Sequence, residues 1–170
     1  PYYYNHKLKS GGTPFAFHFG SRYPFGYGKG WTEFSGQDIA LQASDVPVGG
    51  EIALQVTVTN IGNQRGSEVV QLYVHANVAS MVRPVKALKA FQRLELESGA
   101  SATLTFYVPT DMLNFTRRDG QRVVEPGEFE LMVGSSSATI WASATVNVTG
   151  STCVLPVNWQ MMSRCKVNRI

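Results

Sequence analysis

At 170 residues, with 44% apolar and 16% charged positions, the chain is long enough for one domain of about 100 to 150 residues plus appendages, and apolar enough to bury a core. No apolar run approaches the roughly 20 residues that span a bilayer, and the net charge of +3 is carried by the ends of the chain: residues 1–35 hold four Lys/Arg against one Glu, residues 36–150 eight against eleven Asp/Glu, and residues 151–170 three against none. The middle of the chain is therefore mildly acidic, which argues against a nucleic-acid partner as the run lengths argue against a membrane one.

Taken in order, residues 1–35 hold eleven aromatic residues but neither alternation nor a helical period, and they read as an irregular arm. Its N-terminus shows no charged-then-apolar signal pattern. The chain opens at Pro1 without an initiating Met, so a secretion signal further upstream stays open. Ile52, Leu54, Val56 and Val58 then occupy every second position, as a strand with one wet face requires. Asn60 to Gly66 supplies turn residues, and Val70, Leu72 and Val74 resume the alternation, which predicts a hairpin. Further strands are expected at Leu88–Leu96, Ala102–Val108, Phe129–Val133 and Ile140–Val148. Arg83, Lys86, Lys89 and Arg93 recur about every three residues, a helical spacing. Pro84 and the alternation through Leu94 and Leu96 favour a strand there instead.

About seven short strands in this length make an antiparallel two-sheet sandwich. Val56, Val58, Leu72, Val74, Leu104, Phe106, Leu131 and Val133 are its predicted core, each at the centre of a strand. The domain limits follow as 1–35 for the arm, 36–150 for the sandwich and 151–170 for a tail of unassigned structure.

Candidate chemistry is sparse. His6, His18 and His75 have no ligand-spaced neighbours, and Cys153 and Cys165, twelve apart, match no zinc pattern, so no metal or cofactor is expected. Their oxidation state stays open. Gly26-Tyr-Gly-Lys-Gly30 lacks the first Gly and the Ser/Thr of a phosphate loop. Asp111, Asp119, Glu125 and Glu128 each sit beside a turn signal, which suits turn-edge roles better than a catalytic pair. Asn114-Phe-Thr116 and Asn147-Val-Thr149 are glycan acceptor sequons that matter only in a eukaryotic secretory setting. What remains is aromatic: Tyr23, Phe25, Tyr27 and Trp31 are the candidate contacts, either for sugar or for a covering domain.

Tyr23-Pro-Phe-Gly-Tyr-Gly28 with Trp31-Thr-Glu-Phe34 resembles the segment leading into the C-terminal fibronectin type III-like domain of glycoside hydrolase family 3, the β-glucosidases and β-xylosidases. Val56–Gly62, Gly66–Val74, Arg83–Arg93 and Glu125–Ser136 are similar to that domain's successive strands and turns, and Pro1–Lys7 to a stretch near the end of the preceding α/β domain. The resemblance implies an immunoglobulin/fibronectin type III-like β-sandwich with a linker arm. It also implies a periplasmic or extracellular setting and partners in the upstream catalytic domains of the same enzyme. The family's Asp nucleophile and Glu acid/base would lie upstream of Pro1, so no residue here inherits a catalytic role. Two functions are expected in turn: a non-catalytic accessory domain, or an independent module binding β-linked oligosaccharide. Lys29-Gly-Trp31 departs from the family's usual continuation, and nothing from Ser151 onward resembles the domain.

Overall fold

The computed structural model describes residues 23–170. Tyr2, Tyr3, Tyr4, Phe15, Phe17, Phe19, His6 and His18 lie outside the described residues. In chain order the strands are β1 (Phe34–Leu41), β2 (Asp45–Pro47), β3 (Glu51–Asn60), β4 (Gly66–Ala76), β5 (Ala87–Leu96) and β6 (Ser101–Pro109). A 3-10 turn (Thr110–Leu113) leads to β7 (Phe115–Thr116), β8 (Arg122–Val124), β9 (Gly127–Gly134), β10 (Ile140–Thr149), β11 (Cys153–Val154) and β12 (Arg164–Arg169). The helical spacing of the cations after Arg83 is thus overridden, since residues 87–96 form β5.

Two sheets face each other across one core, one ordered β1-β3-β6-β12 and the other β2-β10-β9-β4-β5. A small third sheet, β11-β8-β7, stands apart. All neighbours are antiparallel except β2, which runs parallel to β10. Alternation sets the faces: Ile52, Leu54, Val56 and Val58 on β3 and Leu104 and Phe106 on β6 are fully buried, and across from them lie Leu72, Leu131 and Val133. All eight predicted core residues belong to this cluster. Each such side chain contributes about 1.5 to 3 kcal/mol by leaving water, so the facing strands hold the sandwich together.

The predicted hairpin between β3 and β4 does not form. β3 pairs with β1 and β6, whereas β4 pairs with β5 and β9. The turn residues after Asn60 carry the chain from one sheet to the other. Asn60, fully buried, anchors the crossing: its amide donates to the carbonyls of Gln64 (2.9 Å) and Leu96 (3.1 Å), and its Oδ1 accepts from Gly62 N–H and the Thr32 hydroxyl. Four partners tie the crossover to the arm and to the end of β5.

The C-terminal residues add an edge strand. β12 pairs with β6 from Arg164 opposite Tyr107 to Arg169 opposite Ala102. Cys165 and Val167 point towards the core while Arg164, Lys166 and Asn168 stay exposed.

Candidate docking face

The arm reaches the sandwich through a tight turn. Tyr27 N–H donates to the Pro24 carbonyl at 3.0 Å, and Gly26 between them has φ +77°, the left-handed position that glycine fills in such a turn. This turn sits on the outer face of the five-stranded sheet. Gln71 of β4 donates from Nε2 to the carbonyls of Gly26 (3.1 Å) and Ser135 (2.6 Å), its Oε1 accepts the Tyr73 hydroxyl, and Ser137 N–H donates to the Phe25 carbonyl at 2.9 Å.

Outward-facing strand positions normally meet water, yet Gln71 is nearly buried and Tyr73 completely so. A buried amide and phenol must find partners or lose a hydrogen bond's worth of stability each. The chain of hydrogen bonds from Tyr73 through Gln71 to the arm meets that need. A second anchor lies further along, where Thr32 bonds Asn60 and fits against Gly62 and Gly66: a β-carbon on either glycine would stand 2.0 or 2.3 Å from Thr32.

With the backbone fixed, the rings point outward. Tyr23, Phe25 and Tyr27 are 59%, 40% and 44% exposed, and the Tyr23 and Tyr27 ring centroids are 5.3 Å apart with planes tilted by 30°. Phe91, opposite Gln71 on β5, and Val69 extend the same surface. The structure therefore brings three of the four sequence-predicted contacts together. Trp31 stands apart, at the end of the sheet by the crossover, where Gln64 donates to its carbonyl and its ring is 91% exposed. Phe91 was missed in the sequence because its strand neighbours mark it only as an outward position; its proximity to the arm depends on where the turn lands.

The other residues weighed in the sequence are held by hydrogen bonds, and of the four acids Asp119 alone is held within its own turn while the others bond distant segments. Asp111 Oδ2 accepts from Gln160 N–H, Asp119 from Gln121 N–H, Glu128 from Asn77, and Glu125 from Ser80 and Arg117. His75 Nδ1 lies 3.4 Å from the Pro84 carbonyl. The sequon amides Asn114 and Asn147 donate to the Asp111 carbonyl and to Asp45. Cys153 and Cys165 are both free, and burial pushes the Cys165 thiol up to about 11. Among the described residues no cluster of His, Cys, Asp or Glu could hold a metal ion, and no helix is long and apolar enough to cross a membrane.

Residues 68–137 match the fibronectin type III-like domain family. The chain is 39% identical over 118 residues to a putative beta-xylosidase of Formosa agariphila, covering 69% of this chain and 16% of that protein. It is 36% identical over 121 residues to a periplasmic beta-glucosidase of Salmonella typhimurium, covering 71% and 16%. Among solved structures, a beta-glucosidase from Listeria innocua in complex with glucose superposes with a TM-score of 0.78 and 33% identity, over 91% of this chain and 22% of that one. A beta-glucosidase involved in saponin metabolism from intestinal bacteria gives 0.80 and 31%, over 86% and 20%. The chain thus spans about a sixth of the length of the curated relatives it matches.

Proposed function

This chain carries the fibronectin type III-like domain of the family 3 glycoside hydrolases, and on that premise we propose that it serves as a non-catalytic accessory sandwich, docked by its outer aromatic face against the catalytic domains of a β-glucosidase or β-xylosidase. The observation that carries this reading is the arm's turn. Its backbone is locked onto Gln71 while Tyr23, Phe25, Tyr27 and Phe91 remain on the surface. An apolar patch on a protein surface, here with Tyr27 and Phe91 exposed, marks an interaction site.

No residue of the chain is assigned to bond cleavage. A retaining glycosidase needs two carboxyl groups about 5 to 5.5 Å apart facing a sugar, and the four acids weighed above each accept hydrogen bonds from other groups of the chain.

The alternative, a module that binds β-linked oligosaccharide by ring stacking, has in its favour the high exposure of Trp31. Against it, Tyr23 and Tyr27 turn towards each other and present no flat platform. Titration of the chain with β-linked glucose and xylose oligosaccharides, followed by intrinsic fluorescence, separates the two. The docking reading expects no saturable change. Saturable quenching that is lost in Trp31→Ala or Tyr27→Ala would replace it with the module.

A further inference from the structure

A cavity of about 420 Å³ lies between β5, the 3-10 turn and β7. Its walls include Val74, Leu113 and Phe129, and two cations, Arg83 and Lys89, also line it. Both cations are placed there by the fold. The pairing of β4 with β5 skips from Leu72–Ala90 to Tyr73–Leu88, leaving Lys89 unopposed in a bulge. Bulges re-aim a side chain out of the regular alternation. Arg83 is fixed by stacking on the Phe115 ring, 3.8 Å from its centroid, and by donating to the Leu113 carbonyl at 2.9 Å.

Neither cation is balanced. Among the described residues the Arg83 Nε is buried without a hydrogen-bond partner, and no anion acts on the Lys89 amine. Glu125 is the one anion that acts on Arg83, but its oxygens are occupied by the Ser80 hydroxyl (2.7 and 2.8 Å) and by Arg117 (3.2 Å). Arg83 thus shares Glu125 with Arg117, so two cations with less than one full counter-charge line a chamber whose walls also include Asn114 and Thr116. Burying unpaired charge is costly. Burial and the neighbouring Arg83 push the Lys89 amine down to about 8, in keeping with that cost.

We propose that this cavity is a carboxylate-binding site, in which Arg83 and Lys89 together receive one carboxylate carried by a small organic acid or by an Asp or Glu side chain. A carboxylate offers two acceptor oxygens, one for each cation, and a charge-assisted bond in a partly enclosed site is stronger than one in bulk water. The chamber is many times the roughly 30 Å³ share of one water, so the acid's carbon skeleton has room. The site shares no lining residue with the aromatic turn, and its fate does not bear on the docking reading.

The test is an NMR titration of the 170-residue chain, following the lysine Cε signals with Lys89 assigned through Lys89→Arg. Sodium acetate, sodium glucuronate and neutral methyl β-glucoside are added at constant ionic strength set with sodium chloride. The expected result is a saturable movement of the Lys89 signal with a carboxylate, and a rise of roughly one unit in its titration midpoint. Arg83→Gln should weaken the effect at least about tenfold, which corresponds to one strong charge-assisted bond. Glucuronate binding well ahead of acetate assigns the site to a free acid. Acetate binding as well or better assigns it to a protein side chain. No saturable shift with either carboxylate, or an equal shift with methyl glucoside, would overturn the proposal.

Discussion

A β-carbon placed on Gly26 would stand 2.0 Å from Oε1 of Gln71, so any side chain there must push the Gln71 amide aside, and the φ of +77° favours glycine in its own right. The contact joins two segments 45 residues apart and fixes where the aromatic patch lies.

Gly26→Ala is accordingly expected to release the turn without unfolding the sandwich. Alanine must take a left-handed conformation at a cost of about 1 to 2 kcal/mol, and it displaces the Gln71 amide as well. Hydrogen exchange at the Ser137 amide, which donates to the Phe25 carbonyl, should accelerate while amides of β3 and β6 keep their protection. Unchanged protection at Ser137 would show that the arm is held by other contacts.

Asn60→Ala removes four hydrogen bonds from a fully buried side chain. At about 1 kcal/mol for each net bond, plus carbonyls left without partners, the expected loss is about 3 to 5 kcal/mol in urea unfolding. A loss below about 0.5 kcal/mol would mean that the crossover is held by its backbone alone.

Register can be checked with Leu72 and Phe91, which stand on opposite faces of the same sheet. Leu72→Ala in the core should cost about 2 to 5 kcal/mol. Phe91→Ala on the exposed face should stay within about 0.5 kcal/mol. The reverse order would place every side chain of the pair on the wrong face.

Lys89→Met should stabilise the chain at neutral pH. The native state holds this amine near 8, against 10.5 for an ordinary lysine, because of burial first and Arg83 second. The folded state therefore disfavours the charged form. That penalty is fully present below pH 8 and fades as pH rises towards 10.5, where both states are neutral. The shift corresponds to up to about 3 kcal/mol. The charged groups concerned are Arg83, which acts on the amine, and Glu125, which acts on Arg83. Denaturant unfolding of the two proteins across pH 7 to 10.5 should show curves that converge, and a constant gap would separate the effect from ionisation.

Much of the sandwich is legible because alternation reports which side of a strand is dry, and Ile52 to Val58 or Leu104 to Phe106 can be read in no other way. Alternation does not report which strand lies next door. The crossing at Asn60 was invisible for that reason: its turn residues suit a hairpin equally well, and only the buried amide's partners in Thr32 and Leu96 decide. β12 has a usable signal in Cys165 and Val167 between polar neighbours, but six residues with one basic edge give it little weight. The aromatic candidates were recognisable by type. Their grouping depends on a turn landing on Gln71, a contact between segments that no local pattern encodes, and this also separated Trp31 from the rest.

The central claim, that the outer aromatic face is a docking surface for catalytic domains, is tested most directly by calorimetric titration of the 170-residue chain with those domains supplied as a separate chain. The account predicts a saturable complex that Tyr27→Ala and Phe91→Ala each weaken at least about tenfold, in line with truncation of an aromatic anchor. Both rings are exposed, so the variants should remain folded. A complex of unchanged affinity in both variants, or no complex at all, would contradict it.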